Sequence, residues 1–241
     1  MPWCVSGKVG VVTGASCALG REITRRLAAS HHMKLACVSR RDFAADLPEG
    51  CRGFKADIQS AKDCDQLLRL VRKEMGAVSV VVNCAGVTQN KIHAMSSDAD
   101  YDFVMNTNVR GAFNVTRAAL RHGGLLQAGE GSVVHIGSTV GLTGNKGQVL
   151  YAASKAALSA ASKSWAKEYG AKNIRFNVVA PGLIDGGGMG ETLSDAQREA
   201  WRQSCPLGRL ATVDDVAEMV VAALLSSYLN GQTIVLDGGV N

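Results

Sequence analysis

Seven short β-branched runs recur along the chain, separated in most cases by longer segments of helical period, and this alternation leaves few folds open. The runs are KVGVV from Lys8, KLACVS from Lys34, RGFKA from Arg52, VSVVV from Val78, SVVHI from Ser132, IRFNVV from Ile174 and TIVL from Thr233. Between them, Gly20 to Ser30, Ser60 to Met75, Asp98 to Arg121 and Val149 to Tyr169 are each long enough for roughly three to six helical turns. Strands that are apolar throughout have no wet face, and helices crossing over a parallel sheet cover both sides. The expectation is a doubly wound α/β fold of about seven parallel strands with helices on both faces. No Pro-, Ser- or Gly-rich linker interrupts the 241 residues, so residues 1–241 read as one domain, with a cofactor half at about 1–130 and a catalytic and substrate half at about 131–241.

Composition narrows the function. A net charge of +5 without lysine or arginine runs argues against nucleic acid as partner and modestly favours an acidic substrate or carrier, although a solvated surface would read the same. The seven cysteines (Cys4, Cys17, Cys37, Cys51, Cys64, Cys84 and Cys205) show no paired spacing and no metal-ligand pattern. Reduced thiols in a reducing compartment are expected, either the cytoplasm or an organelle matrix such as that of mitochondria or plastids. No stretch of 18 apolar residues would span a membrane, and MPWCVSGKVGVVTG reads as the start of the domain rather than a leader.

In a doubly wound sheet, ligands bind beyond the carboxyl ends of the strands, so the residues after each run carry the interest. After the first comes Thr13-Gly14-Ala15-Ser16-Cys17-Ala18-Leu19-Gly20, a small-residue turn opening a helix. Gly14 permits a tight turn, Ala18 and Gly20 permit close approach, and the helix N-terminus offers amides to a pyrophosphate, which makes the fold Rossmann-like. About 20 residues on, where an NAD site would place a carboxylate, stands Ser39-Arg40-Arg41. A guanidinium suits a 2′-phosphate, so NADP(H) is the expected coenzyme, held by Arg40 with help from Ser39; a solvated basic loop is the plainer alternative.

Tyr151 and Lys155 stand four apart within a helical segment and share a face. The ammonium is expected to lower the tyrosine pKa toward the range useful for proton transfer. Ser138, thirteen residues upstream after SVVHIGS, is placed to polarise a substrate carbonyl. Asn108, in MNTNVRG, is expected inside a helix, where an amide is out of place unless it organises water or backbone.

Together these residues resemble the short-chain dehydrogenase/reductase family from about Lys8 to Gly239. The resemblance implies Asn108, Ser138, Tyr151 and Lys155 as a catalytic tetrad. It also implies coenzyme contacts from Gly14, Ser16, Cys17 and Leu19 in the first loop, from Asp57 and Ile58 after the third strand, and from Asn83, Ala85 and Gly86 after the fourth. Tyr151 and Lys155 would touch the coenzyme as well, as would Pro181, Gly182 and Ile184 beside the nicotinamide. The segments NVVAPG, CPLGRL and GQTIVLDGG are similar to those of 3-oxoacyl-[acyl-carrier-protein] reductases and their mitochondrial carbonyl reductase relatives.

The pattern also departs from the family. Ala18 replaces a glycine, Cys17 an arginine, and the threonine expected soon after Pro181-Gly182 is absent until Thr192. Gly186, Gly187 and Gly188 make that lid unusually glycine-rich, and GGLLQAGEGS is a long connection before the fifth strand. By this resemblance the chain reduces a 3-oxoacyl thioester on acyl carrier protein or coenzyme A in fatty-acid synthesis, with Asn108 holding a water that reloads Tyr151. Lys146, Lys172 and Arg175 are candidates for the acidic carrier. A broad carbonyl or quinone reductase and a non-catalytic NADP-binding subunit are the alternatives. A homotetramer is expected through the helices at Asp98 to Arg121 and Val149 to Tyr169 and through the last strand.

Overall fold

A computed structural model describes residues 3–41, 47–186 and 194–241. Its strands are β1 (Val9–Thr13), β2 (Lys34–Ser39), β3 (Cys51–Lys55), β4 (Val78–Asn83), β5 (Gly131–Ile136), β6 (Ile174–Pro181) and β7 (Thr233–Leu236). All pair in parallel, in the order β3-β2-β1-β4-β5-β6-β7. Each expected run is a strand. The chain winds outward from β1 to β3, then returns to β4 and winds the other way. Neighbouring strands β1 and β4 therefore send their following loops in opposite directions and leave a crevice at their carboxyl ends.

Two apolar layers explain why the strands alternate no polar face. Side chains of Val12, Leu35, Val80, Val82 and Val134 pack beneath α1 (Ala18–Ala29) and α8 (Val213–Leu225). Their sequence neighbours Val11, Ala36, Val81 and Val133 face the other way, under α2 (Ala61–Met75) and α4 (Gly111–Ala118), with Phe176 fully buried there. Trp165 of α6 (Val149–Tyr169) closes this second layer, its ring stacked 5.2 Å from His135 and 5.7 Å from Phe176. Local signals set the helix starts: Ser60 caps α2, and reciprocal capping boxes, Ser97 with Asp100 and Thr212 with Asp215, open α3 (Asp98–Met105) and α8. The remaining helices are the short α5 (Val140–Thr143) and α7 (Asp195–Ser204).

The segment expected as one helix from Asp98 to Arg121 is broken twice by π-helical turns, Asn106–Arg110 and Ala119–Gly123. Each adds a residue to a turn and rotates the face that follows. The long connection before β5 leaves the second of these through Gly124, at φ +92, and drives Leu125 fully into the core. Tyr101, Phe103 and Phe113 remain exposed on the helices expected to meet other subunits. All seven cysteines are free, and no helix among the described residues is long and apolar enough to cross a membrane.

Arg175 is not available to a carrier. It is buried on β6, donates to the carbonyls of Ser226 and, at 2.9 Å, Leu224, and lies over the Trp3 ring at 5.1 Å. It ties the chain start to the end of α8, at the edge of the sheet opposite the crevice. Lys172 belongs to the same far edge, because α6 runs 21 residues, about 30 Å, away from Tyr151 before reaching it. Only Lys146, exposed in the turn before α6, lies at the crevice end. Replacing Arg175 with Ala is expected to cost about 3 kcal/mol of stability in urea unfolding, because it strands buried carbonyls and empties the Trp3 face. Unchanged stability would remove this structural role.

Candidate active site

The crevice is built first by the turn after β1. Gly14 sits at φ +66, and a Cβ there would come within 2.8 Å of the Ala85 Cα and 2.9 Å of its nitrogen. Only glycine satisfies both the left-handed backbone and that approach. The Thr13 hydroxyl accepts from the Ala85 amide at 3.2 Å, fastening the β1 turn to the loop after β4. Gly20 lets α1 press on the same turn, since its Cβ would stand 2.3 Å from the Gly14 carbonyl oxygen. Cys17 caps α1, its sulfur accepting from the Gly20 amide at 3.3 Å. With no acidic residue in its first turn, the positive end of α1 is left to the crevice.

A cleft of about 880 Å³ runs from this turn across the ends of β2 and β3. Ser16 and Ser39 face one another there with hydroxyl oxygens 3.1 Å apart, and the Arg41 amide donates to Ser39 at 3.2 Å. Exposed Arg40 stands at its wall. Asp57 is exposed and accepts from the Gln59 amide at 3.0 Å, while Ile58 is buried. Ala85 and Gly86 form the opposite wall. Asn83 does not reach the cleft. Its buried amide nitrogen lies 3.2 Å from the Thr116 hydroxyl and 3.1 Å from His135 Nδ1, and so joins β4 to α4 and β5.

A second cleft of about 1100 Å³ shares Cys17, Cys84, Gly86 and Val87 with the first, so the two form one trough. Ser138, Tyr151 and Lys155, all buried, meet in it, with Leu19, Pro181, Gly182 and Ile184 along its walls. The Ser138 oxygen accepts from the Val140 amide at 3.2 Å, and its hydroxyl works against the burial of the Tyr151 phenol. Lys155 donates to the Ile136 carbonyl at 2.7 Å and lies 5.5 Å from the Tyr151 ring centre. Burial lowers its pKa to about 8. The Pro181 carbonyl accepts from the Thr139 amide at 3.0 Å, and Gly182 donates to Leu236 at 2.9 Å, which anchors the wall at the ends of β6 and β7. Ile184 bridges to Ala211. The lid residues Gly187, Gly188 and Thr192 lie outside the described residues.

The expected lowering of the tyrosine pKa is opposed by its surroundings. Burial pushes the Tyr151 phenol up to about 12, with the Ser138 hydroxyl working in the opposite direction. The ammonium is engaged with the Ile136 carbonyl and is itself desolvated.

Asn108 lies in the first π turn rather than in a regular helix. Its amide is clamped to backbone: Oδ1 accepts from Val87 N at 2.8 Å, and Nδ2 donates to the Val87 carbonyl at 2.8 Å and to the Ser154 hydroxyl at 3.0 Å. Ser154 in turn donates to the Tyr151 carbonyl at 2.7 Å. Both amide hydrogens are thus committed, and the water expected on this side chain has no donor left there. Sequence reasoning missed Val87 and Ser154; the one signal was a small hydroxyl residue three places after Tyr151 on its own helix face.

The trough fits a nicotinamide dinucleotide. Glycine at positions 14 and 86 keeps backbone close to the cavity, where a Gly86 Cβ would meet the Lys155 ammonium at 3.3 Å. A helix N-terminus lies where a pyrophosphate would pass, and proton-transfer groups stand beyond it. Among the described residues, no cluster of three or more His, Cys, Asp or Glu could hold a metal.

Comparison with known proteins agrees with this geometry. Residues 14–241 match the family model described as enoyl-(acyl carrier protein) reductase. The chain is 35% identical to the 3-oxoacyl-[acyl-carrier-protein] reductase FabG of Thermotoga maritima, over 98% of each chain. It is also 35% identical to the 3-oxoacyl-[acyl-carrier-protein] reductase of Bos taurus, over 97% of this chain and 98% of the relative. Carbonyl reductase family member 4 of Danio rerio is likewise 35% identical, over 97% and 98%. The parallel sheet, the glycine turn at its switch point and the full-length relatives place the chain in the short-chain dehydrogenase/reductase family of nicotinamide-dependent oxidoreductases.

Proposed function

We propose that the protein uses NADPH to reduce the ketone of a 3-oxoacyl thioester, borne by acyl carrier protein or coenzyme A, to the 3-hydroxyacyl form, the reduction that fatty-acid synthesis requires. The observation that carries this reading is the meeting of buried Ser138, Tyr151 and Lys155 in a cleft continuous with the dinucleotide trough. Two relatives named as 3-oxoacyl-[acyl-carrier-protein] reductases over nearly the whole chain support the substrate class. Exposed Lys146 near the mouth is the remaining candidate contact for an acidic carrier.

When bound, the reduced nicotinamide supplies hydride to the carbonyl carbon. Ser138 donates a hydrogen bond to the carbonyl oxygen, and Tyr151 delivers the proton as negative charge grows there. A phenol held at about 12 is fully protonated at neutral pH, which is the form that reduction needs. The Lys155 ammonium, 5.5 Å from the ring, stabilises the phenolate left behind. Asn108 acts as a positioning residue: through Val87 and Ser154 it fixes the loop after β4 against the helix carrying Tyr151.

Initial rates with acetoacetyl thioester and with a quinone, each with NADPH and NADH, test the reading. NADPH-dependent thioester turnover is expected, and Tyr151→Phe is expected to lower kcat about 10²–10⁴-fold. Turnover of quinone alone would favour the broad carbonyl reductase to which the zebrafish relative points. Coenzyme binding without any turnover would favour a non-catalytic subunit.

The pH profile carries its own sign. Lys155 is charged below its depressed pKa of about 8, and Tyr151 is protonated until about 12. The kcat/KM for reduction is therefore expected to be level near neutrality and to fall as pH rises through about 8. A decline only above about pH 10, where an unperturbed lysine titrates, would contradict this assignment.

Arg40→Glu tests coenzyme choice. Removing the cation and adding a carboxylate at the end of β2 should raise the Kd for NADPH by about 10–100-fold and leave NADH little changed. Equal losses for both coenzymes would remove Arg40 as the contact for the 2′-phosphate.

A further inference from the structure

Two thiols face each other across the crevice, and the reaction proposed above uses neither. Cys17 caps α1 in the turn after β1, and Cys84 is the first residue after β4; their sulfurs are 3.9 Å apart. Both line the nucleotide cleft and the cleft holding Tyr151, so the pair sits where the two join. Cys17 is exposed and Cys84 nearly buried behind it, an arrangement in which an oxidant meets one thiol and the other waits within reach.

We propose that Cys17 and Cys84 form a reversible disulfide under peroxide, and that this bridge narrows the dinucleotide trough and weakens coenzyme binding. The chemistry balances without an added cofactor. The Cys17 thiolate attacks a peroxide oxygen, giving a sulfenic acid and hydroxide. The Cys84 sulfur then attacks Cys17, the S–S bond forms, and the departing hydroxide takes the Cys84 proton as water. Two thiols lose two electrons and two protons, and one hydrogen peroxide becomes two waters.

The surroundings favour the first step, and for the second the hydrogen bond to Cys17 and burial hold the Cys84 thiol well above its usual pKa, so it keeps its proton until hydroxide departs. A hydrogen bond from Cys84, joined by the Gly20 and Leu19 amides, holds the thiol of exposed Cys17 down at about 6 against partial desolvation of its sulfur. The lowering favours the thiolate form of Cys17, and the helix N-terminus is its cause in part. A contrasting pair supports the selectivity. Cys37 and Cys51 stand on the neighbouring strands β2 and β3, with Cys37 fully buried, and line neither cleft of the trough, so a bridge between them would leave the coenzyme path untouched.

A disulfide requires sulfurs about 2.05 Å apart, so the pair must close by about 2 Å. That movement takes the Cys17 sulfur off the Gly20 amide and draws the β1 turn toward the β4 loop. Gly14 is already packed against Ala85 there, with no spare room. The turn itself must then deform, at the place where the pyrophosphate would pass. The effect on coenzyme rests on the nucleotide reading above; the bridge does not.

The full chain, reduced and then freed of reductant, would be treated with hydrogen peroxide, mapped as non-reduced peptides, and titrated with NADPH by fluorescence. The expected result is a Cys17–Cys84 linked peptide and a Kd raised at least about tenfold, restored by dithiothreitol and absent in Cys17→Ser and Cys84→Ser. Oxidation at Cys4, a Cys37–Cys51 bridge or overoxidised Cys17 without a link would overturn the proposal, as would a bridge that leaves NADPH affinity unchanged. If the reduced chain binds no NADPH, the nucleotide reading fails instead, and the peptide map alone decides whether the bridge forms.

Discussion

The contact of Gly14 with Ala85 is the constraint on which the carboxyl edge of this protein depends. The chain leaves β1 in one direction and β4 in the other, and the two departures are held against each other by backbone packing and by the Thr13 hydroxyl accepting from the Ala85 amide. If a side chain intruded at Gly14, the two loops would separate and α1 would lose its aim into the crevice. Everything chemical here is arranged along that seam: the cap of α1, the serine pair leading to Arg40, and the backbone at Gly86 beneath Lys155.

A second set of hydrogen bonds runs perpendicular to the seam. Asn108 reads the Val87 backbone with both ends of its amide and passes the constraint to Ser154, which holds the Tyr151 carbonyl. The π turn makes this possible, because one added residue turns Asn108 into the protein. Loop, kinked helix and the helix of Tyr151 are thereby kept in register at little cost, since every polar group in the chain of contacts has a partner. The same reasoning explains the ligand-free electrostatics. Tyr151 and Lys155 are buried with few charges nearby, so desolvation decides both shifts and keeps the phenol protonated.

The basic excess, by contrast, has little to do with one binding face. Arg175 is a structural strut over the Trp3 ring, and Lys172 stands with it at the edge of the sheet away from the crevice. A charge count treats all cations alike. Their use is set by where strand and helix lengths deliver them, and a 21-residue helix carries its two ends to opposite sides of the domain.

By itself, the sequence determined the architecture and pointed to residues that the fold brings to the crevice. Unbroken apolar strands separated by helical segments admit a parallel sheet covered on both faces, because alternation in period two places Val11 and Val12 in different layers. Local spacing likewise brought Tyr151 and Lys155 to one helix face, and the glycine turn announced the helix N-terminus behind it. Tertiary structure alone decided the rest. The π turns carry no clear signature in MNTNVRG, Asn83 turns inward because Thr116 and His135 happen to pack beside it, and Cys17 meets Cys84 across sixty-seven residues of chain. Such features depend on distances between elements, which periodicity and local propensity do not encode, and burial, which sets the pKa of each group, exists only once those elements have packed.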